Sequence, residues 1–216
     1  MPEPSARYIE LLEQYRKLHH EGDAAQGLPG AKMFPGTALF PQAPRIAQLI
    51  AETHTETLLD YGCGKGLQYE VAYDAPDGKH WTSVQHYWGI QSIRCYDPAY
   101  LPHSQKPAGQ FDGVISTDVL EHCPEEDLPW ILETLFTYAR KFVFVNAACY
   151  PAVKNLPNGE NAHSTVKPPQ WWGDLFVKVA ARFPNTIGEI QIQQVRQIDK
   201  LQHVDNIVIS NSRTSK

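Results

Sequence analysis

"LLDYGCGKG", residues 58–66, is an apolar run that ends in an acid and then sets glycine at three alternate positions. With Thr57 in front, the run has the length and composition of a short strand covered on both faces. The glycines after it make a turn where backbone can approach a ligand closely. In an open parallel sheet, ligands sit beyond the carboxyl ends of the strands, where Gly62, Gly64 and Gly66 fall. The dinucleotide fingerprint G-x-G-x-x-G puts its third glycine one position later, so this loop fails that register.

Outward from the loop, further apolar runs follow at 92–97 (SIRCYD), 111–117 (FDGVIST) and 141–147 (KFVFVNA), again short and β-rich. Helical spacing predicts helices over 5–20 (Tyr8, Leu11, Leu12, Tyr15 and Leu18 on one face) and over 44–53. A third is predicted over 124–141, with Pro124 and acids at its start and Arg140 and Lys141 at its end, and a fourth over 168–183. Two last runs, 186–194 and 203–210, lie too close for a helical crossover and read as an antiparallel pair. The sum is an α/β layered sheet, mostly parallel, with helices on both faces and a C-terminal antiparallel hairpin.

The chain has 216 residues, enough for one domain with a sizeable core. We expect a single domain over 1–216: an N-terminal helical lid at 1–44, a cofactor-binding core at 45–150, and a substrate loop, helix and terminal strands at 151–216. Its formal net charge is −5 and dense Lys/Arg runs are missing, so nucleic acid is not an expected partner. Cys63, Cys95, Cys123 and Cys149 show no C-x-x-C spacing, and the chain opens without a basic–apolar leader, which fits a cytoplasmic protein. No apolar run reaches the ~20 residues of a membrane span. Spacing of the cysteines with His122 and His163 matches no zinc signature, so no metal site is expected.

The D-x-G-x-G-x-G pattern of Asp60–Gly66 resembles motif I of class I S-adenosylmethionine-dependent methyltransferases. "RCYDPAY" (94–100) then puts Asp97 after the second strand, and "FDGVISTDVLEHCPEEDL" (111–128) is similar to motif IV of that family and its following turn. The resemblance covers about residues 45–150 and implies a Rossmann-like sheet with S-adenosyl-L-methionine as cofactor. It implies that Asp60 reaches toward the sulfonium side, that Gly62, Cys63, Gly64 and Gly66 pass under the methionine part, and that Asp97 with Pro98 holds the ribose hydroxyls. Thr117, Asp118 and Val119, at the end of the third strand, complete the cofactor set. A carboxylate suits a ribose because two adjacent hydroxyl donors can each use one of its oxygens. The lesser alternative for Asp97 is a cap ahead of Pro98.

Only "PAYLPHSQKPAGQ" (98–110) separates Asp97 from Phe111, too short for the helix–strand–helix unit usual in the family. The sheet is therefore expected one edge strand short, with adenine contacts unassigned. "DAPDGKHWTSVQHYWGI" (74–90) makes the crossover after the first core helix long and aromatic. Trp81, His86, Tyr87 and Trp88 form either a pocket wall or a satellite cluster. The expected reaction is methyl transfer to an oxygen or nitrogen of a small-molecule or sugar-like acceptor, with an NAD-dependent oxidoreductase and a non-catalytic nucleoside-binding module as rivals. Candidate bases follow the strand ends: Asp118, Glu121 and His122 after the third, and His163 in the long polar loop 146–172 that also holds Asn161 and Thr165. His163 reads equally as a loop histidine satisfied by backbone. Tyr15, His19, Met33 and Phe34 are the candidate lid residues. Oligomeric state is left open.

Overall fold

The computed structural model describes residues 3–198 and 201–211; the outermost residues of the expected domain, 1–2 and 212–216, and the turn at 199–200 lie outside the described part. Five α-helices are described: α1 (Ala6–Glu21), α2 (Ala43–Thr53), α3 (Val84–Trp88), α4 (Leu128–Tyr138) and α5 (Pro169–Ala180). The main sheet comprises β1 (Thr57–Tyr61), β2 (Ser92–Tyr96), β3 (Phe111–Thr117), β4 (Ala139–Ala148), β5 (Ile187–Ile198) and β6 (Leu201–Ser210), in the spatial order β6-β5-β4-β3-β1-β2. All ladders are parallel except β5–β6. The expected Rossmann-like α/β class, the terminal hairpin and the shortened edge are all present. β2 is the edge because 98–110 folds as no more than a 3-10 turn at Leu101–His103.

Alternation along the strands feeds two cores. Leu59, Val114, Val143, Val145, Ile190 and Ile192 face α4 and α5. Leu58, Ile115, Phe142 and Phe144 face α2 and α3. Trp81, Tyr87 and Trp88 belong to this second core, and Trp88 donates from Nε1 to Ala43 O at 3.0 Å. Of the two readings of the aromatic crossover, the cluster is the observed one. No α-helix directly follows the glycine loop; a 3-10 turn at Leu67–Tyr69 replaces it.

The predicted helix over 124–141 requires correction. Glu125–Asp127 is a separate 3-10 turn, α4 stops at Tyr138, and Arg140 and Lys141 begin β4. Their charges serve Asp112 rather than a helix dipole: Lys141 Nζ lies 3.1 Å from Asp112 Oδ2 and Arg140 Nη1 3.8 Å from Oδ1. Asp127 instead anchors α1. Its Oδ1 accepts from the Ser5 N–H at 3.0 Å and its Oδ2 from the Ser5 hydroxyl at 2.5 Å, while Ser5 Oγ accepts from the Tyr8 N–H. That N-cap aims α1 along the sheet's carboxyl edge.

One charge sits in the second core. Glu189 on β5 is 2 % exposed at its side chain, and Arg45 of α2 donates to both of its oxygens, at 2.7–3.0 Å. Arg45→Ala strands that carboxylate, a change that costs about 3–5 kcal/mol for buried pairs. Arg45 is itself a third exposed, so the lower end applies, and a melting temperature lower by roughly 6–12 °C is expected. Arg45→Ala melting within 2 °C of the parent would show that Glu189 does not depend on it.

Candidate active site

The chain leaves β1 for β2 on one side and returns to β3 on the other, which opens a crevice at the carboxyl ends of these strands. A cavity of about 480 Å³ fills it, within the range of small-molecule sites. The loop 150–163 after β4 closes one end of it.

Its floor is the glycine loop. Gly62, Gly64 and Gly66 have φ of 86°, 59° and 72°, a region that side chains with a Cβ rarely adopt. A Cβ on Gly62 would come within 2.4 Å of Val119 Cγ2, and one on Gly64 within 3.1 Å of Phe34 O. The Gly64 N–H donates to Asp97 Oδ2 at 2.9 Å and the Ala99 N–H to Oδ1 at 2.8 Å. Asp97 is thus the cap read from its place before Pro98, and it also ties the ends of β1 and β2 together. The Tyr100 N–H also acts on this carboxylate, which still leaves acceptor capacity for a further donor. Burial raises its pKa, against the pull of these N–H groups.

Asp60 is buried beside the same floor, where Oδ2 accepts from Gln68 Nε2 at 3.0 Å and from the Tyr69 hydroxyl at 2.8 Å. Gln68 Oε1 is buried without a partner among the described residues. Burial pushes Asp60 up to about 7, against those two hydrogen bonds. Its folded form therefore favours the proton: the stability it contributes is full below the ordinary carboxylate range near 4 and is lost as pH rises to about 7. Asp60→Asn, which keeps an acceptor and drops the charge, is expected to flatten that decline. Melting from pH 4.5 to 8 checks it, and parallel pH profiles for the two proteins would contradict it.

The N-terminal segment forms the roof. Tyr15, His19, Met33 and Phe34 all line the cavity. The His19 ring lies 4.5 Å from that of Phe34 and 5.0 Å from that of Tyr100. Lys65, between two loop glycines, donates to His19 O at 3.2 Å and sits over the Tyr100 ring at 4.4 Å. Burial, with Lys65 nearby, pushes His19 down to about 4, which leaves it neutral near pH 7.

Asp118, His122 and His163 meet at the far end. Asp118 follows β3 with φ of 60°, a left-handed turn that Asp tolerates and that marks a constrained position. His122 Nδ1 lies 2.9 Å from Ala162 O and 2.7 Å from the Tyr15 hydroxyl; His163 Nδ1 lies 2.5 Å from Tyr150 O. Burial lowers the His122 pKa, against the charge of Asp118. Glu121 is not on the cavity wall: it is wholly buried, its Oε1 accepts from the Ala148 N–H at 2.7 Å, and burial with the charge of Asp118 pushes it up to about 8. Asn161 and Thr165 also stay off the wall. Asn161 clamps the loop through Ala152 and the His163 N–H, and Thr165 donates to Cys123 O.

Every expected cofactor residue lines the cavity except Gly66, whose Cβ position faces Cys95 and His103 instead. Gln68, and the Tyr150 and Ala162 carbonyls that orient the histidines, were not singled out in the sequence. Gln68 stands two residues past the last loop glycine, which was the available signal. Backbone carbonyls leave none.

No family model matches the sequence, and no curated protein does. A solved structure described as an O-methyltransferase family protein from Burkholderia thailandensis superposes with a TM-score of 0.50 at 11% identity, over 93% of this chain and 66% of that one. The chain thus spans about two thirds of that structure's length. A structure described as a DhpI–SAH complex matches at a TM-score of 0.36 and 14% identity, over 94% of this chain and 80% of that one. The fold is the Rossmann-like class I methyltransferase fold. No helix among the described residues is long and apolar enough to cross a membrane.

Proposed function

We propose that the protein is an S-adenosyl-L-methionine-dependent methyltransferase acting on an oxygen or nitrogen of a small-molecule or sugar-like acceptor. The observation that carries this reading is the tie from Gly64 N–H to Asp97 Oδ2 on the floor of the cavity. One hydrogen bond joins the motif I turn to the acid after the second strand. Three features fit the cofactor. The loop lacks side chains where one would fill the floor, the Asp97 carboxylate retains acceptor capacity, and Gln68 Oε1 is a buried acceptor with no partner among the described residues. When bound, the cofactor supplies an activated methyl group.

The residues of this chain bind, orient and remove a proton. Asp97 with the glycine loop would hold the nucleoside, and Asp60 and Gln68 would face the charged tail. Tyr15, His19, Met33 and Phe34 exclude water from above, and in-line alignment does the rest of the work. The acceptor's proton leaves at the Asp118–His122–His163 cluster, where two imidazoles and a carboxylate offer lone pairs.

Titration calorimetry of the whole chain against S-adenosylhomocysteine and NAD tests the reading. Micromolar, one-to-one binding of S-adenosylhomocysteine with none of NAD is expected. NAD binding without S-adenosylhomocysteine binding would overturn it.

A further inference from the structure

Asp118, His122 and His163 each bring a potential ligand atom within 4.8 Å of the other two. The imidazoles stand edge to face, their centroids 4.8 Å apart at 83°. In both, Nδ1 faces a backbone carbonyl, Ala162 O for His122 and Tyr150 O for His163. A carbonyl oxygen only accepts, so the His163 Nδ1 carries the hydrogen and its Nε2 is bare. The His122 Nδ1 also lies 2.7 Å from the Tyr15 hydroxyl, and it takes the same tautomer when that hydroxyl donates to Ala162 O. An imidazole held at Nδ1 by a backbone carbonyl, with Nε2 bare, is how proteins prepare histidine to ligate a metal.

We infer that Asp118, His122 and His163 form a site for a divalent first-row transition cation such as Zn²⁺ or Co²⁺, held by two imidazole nitrogens and one carboxylate, with its remaining positions open to the cavity. Two imidazoles with a carboxylate favour such a cation over Mg²⁺ or Ca²⁺, which prefer all-oxygen sets. Three protein ligands and an open position are the mark of a catalytic site; structural sites fill all four. Ligand atoms around a common ion at about 2.0–2.2 Å stand about 3.3 Å apart. No pair of ligand atoms is more than 4.8 Å apart, so closing onto one ion takes at most about 1.5 Å for any pair.

A second observation concerns Glu121, in the same 3-10 turn as His122. Its Oε2 is buried with no hydrogen-bond partner among the described residues. The other cluster of ligand types, Cys63, Cys95 and His103, is less open, because His103 Nε2 lies 3.2 Å from Lys65 O and so carries the hydrogen.

The consequence for chemistry rests on the methyl-transfer reading. A hydroxyl on an open position of the cation is acidified: its O–H bond breaks, the electron pair stays on oxygen and the proton passes to solvent. The acceptor atom is then oxygen, and with the cation bound the three side chains serve as its ligands in place of taking the proton themselves.

Titration of the full chain with Co²⁺, followed by visible absorption, and with Zn²⁺, followed by calorimetry, both without S-adenosylhomocysteine, tests the site. One equivalent per chain is expected. His163→Ala and His122→Gln should weaken binding at least a hundredfold and Asp118→Asn at least tenfold, with Cys95→Ala unchanged. Asp118 is exposed and Asn tolerates its φ of 60°, so this variant keeps the fold where a histidine variant fails to. Absence of saturable binding by the parent, binding that survives all three cluster substitutions, or loss on Cys95→Ala would each overturn the inference. Cation binding lost with S-adenosylhomocysteine binding intact sinks this inference alone. A cation held here by a chain that does not bind S-adenosylhomocysteine supports the site and sinks the methyl-transfer reading.

Discussion

Asp97→Ala is expected to weaken S-adenosylhomocysteine binding by a hundredfold or more. Two ribose hydroxyls on one carboxylate are charge-assisted hydrogen bonds at about 1.5–3 kcal/mol each, and each 1.4 kcal/mol is a factor of ten. The structure adds a second loss. Asp97 Oδ2 accepts from the Gly64 N–H and Oδ1 from the Ala99 N–H, so its removal frees both donors and unties the glycine turn from β2. Asp97→Asn separates the effects, because its single side-chain oxygen can keep one of those two donors while the charge is gone. Calorimetry on both variants, with circular dichroism to confirm folding, measures this. A folded Asp97→Ala protein with parent-like affinity would leave Asp97 as a cap and nothing more.

The second large effect is on turnover. His163→Ala should lower it by roughly 10²–10⁴, the span associated with positioned proton transfer, while cofactor affinity stays put. The nucleoside end of the cavity is held by Asp97 and the glycine loop, which His163 does not touch. The loop around it is also secured independently, since Asn161 clamps Ala152 and the His163 backbone N–H. His163→Asn keeps a polar group and loses the Nε2 lone pair, so it should fall as far as the alanine variant. Release of S-adenosylhomocysteine with a pool of small hydroxyl acceptors reads both. Near-normal turnover in the two variants would make His163 the backbone-satisfied loop residue that its bond to Tyr150 O also allows.

Much of the frame was legible because it is local. The strand 57–61 and the strand 111–117 coincide to the residue with the β-rich runs read from the sequence. The short 98–110 segment ruled out an extra edge strand by length alone. The end of α4 was not local. Lys and Arg after an apolar stripe are what a helix terminus prefers, and only the neighbouring strand, with Asp112 buried enough to hold both cations, turns Arg140 and Lys141 into the start of β4. Aromatic residues at 81–88 likewise carried no mark of which side of the sheet they would join.

By itself the sequence determined the parallel sheet, the terminal hairpin, the glycine turn at the carboxyl edge and the two acids that flank it, because each depends on periodicity, chain length or the φ that glycine permits. Tertiary structure alone decided that Asp97 holds the Gly64 N–H, that Gly66 turns away from the cavity, and that Asp118, His122 and His163 share one corner of it. The reason is that these last facts depend on partners far apart in the chain. Which nitrogen of a histidine is bare follows from the backbone carbonyl the other nitrogen meets, and a carbonyl is present at every residue, so nothing in the order of side chains tells which one will arrive.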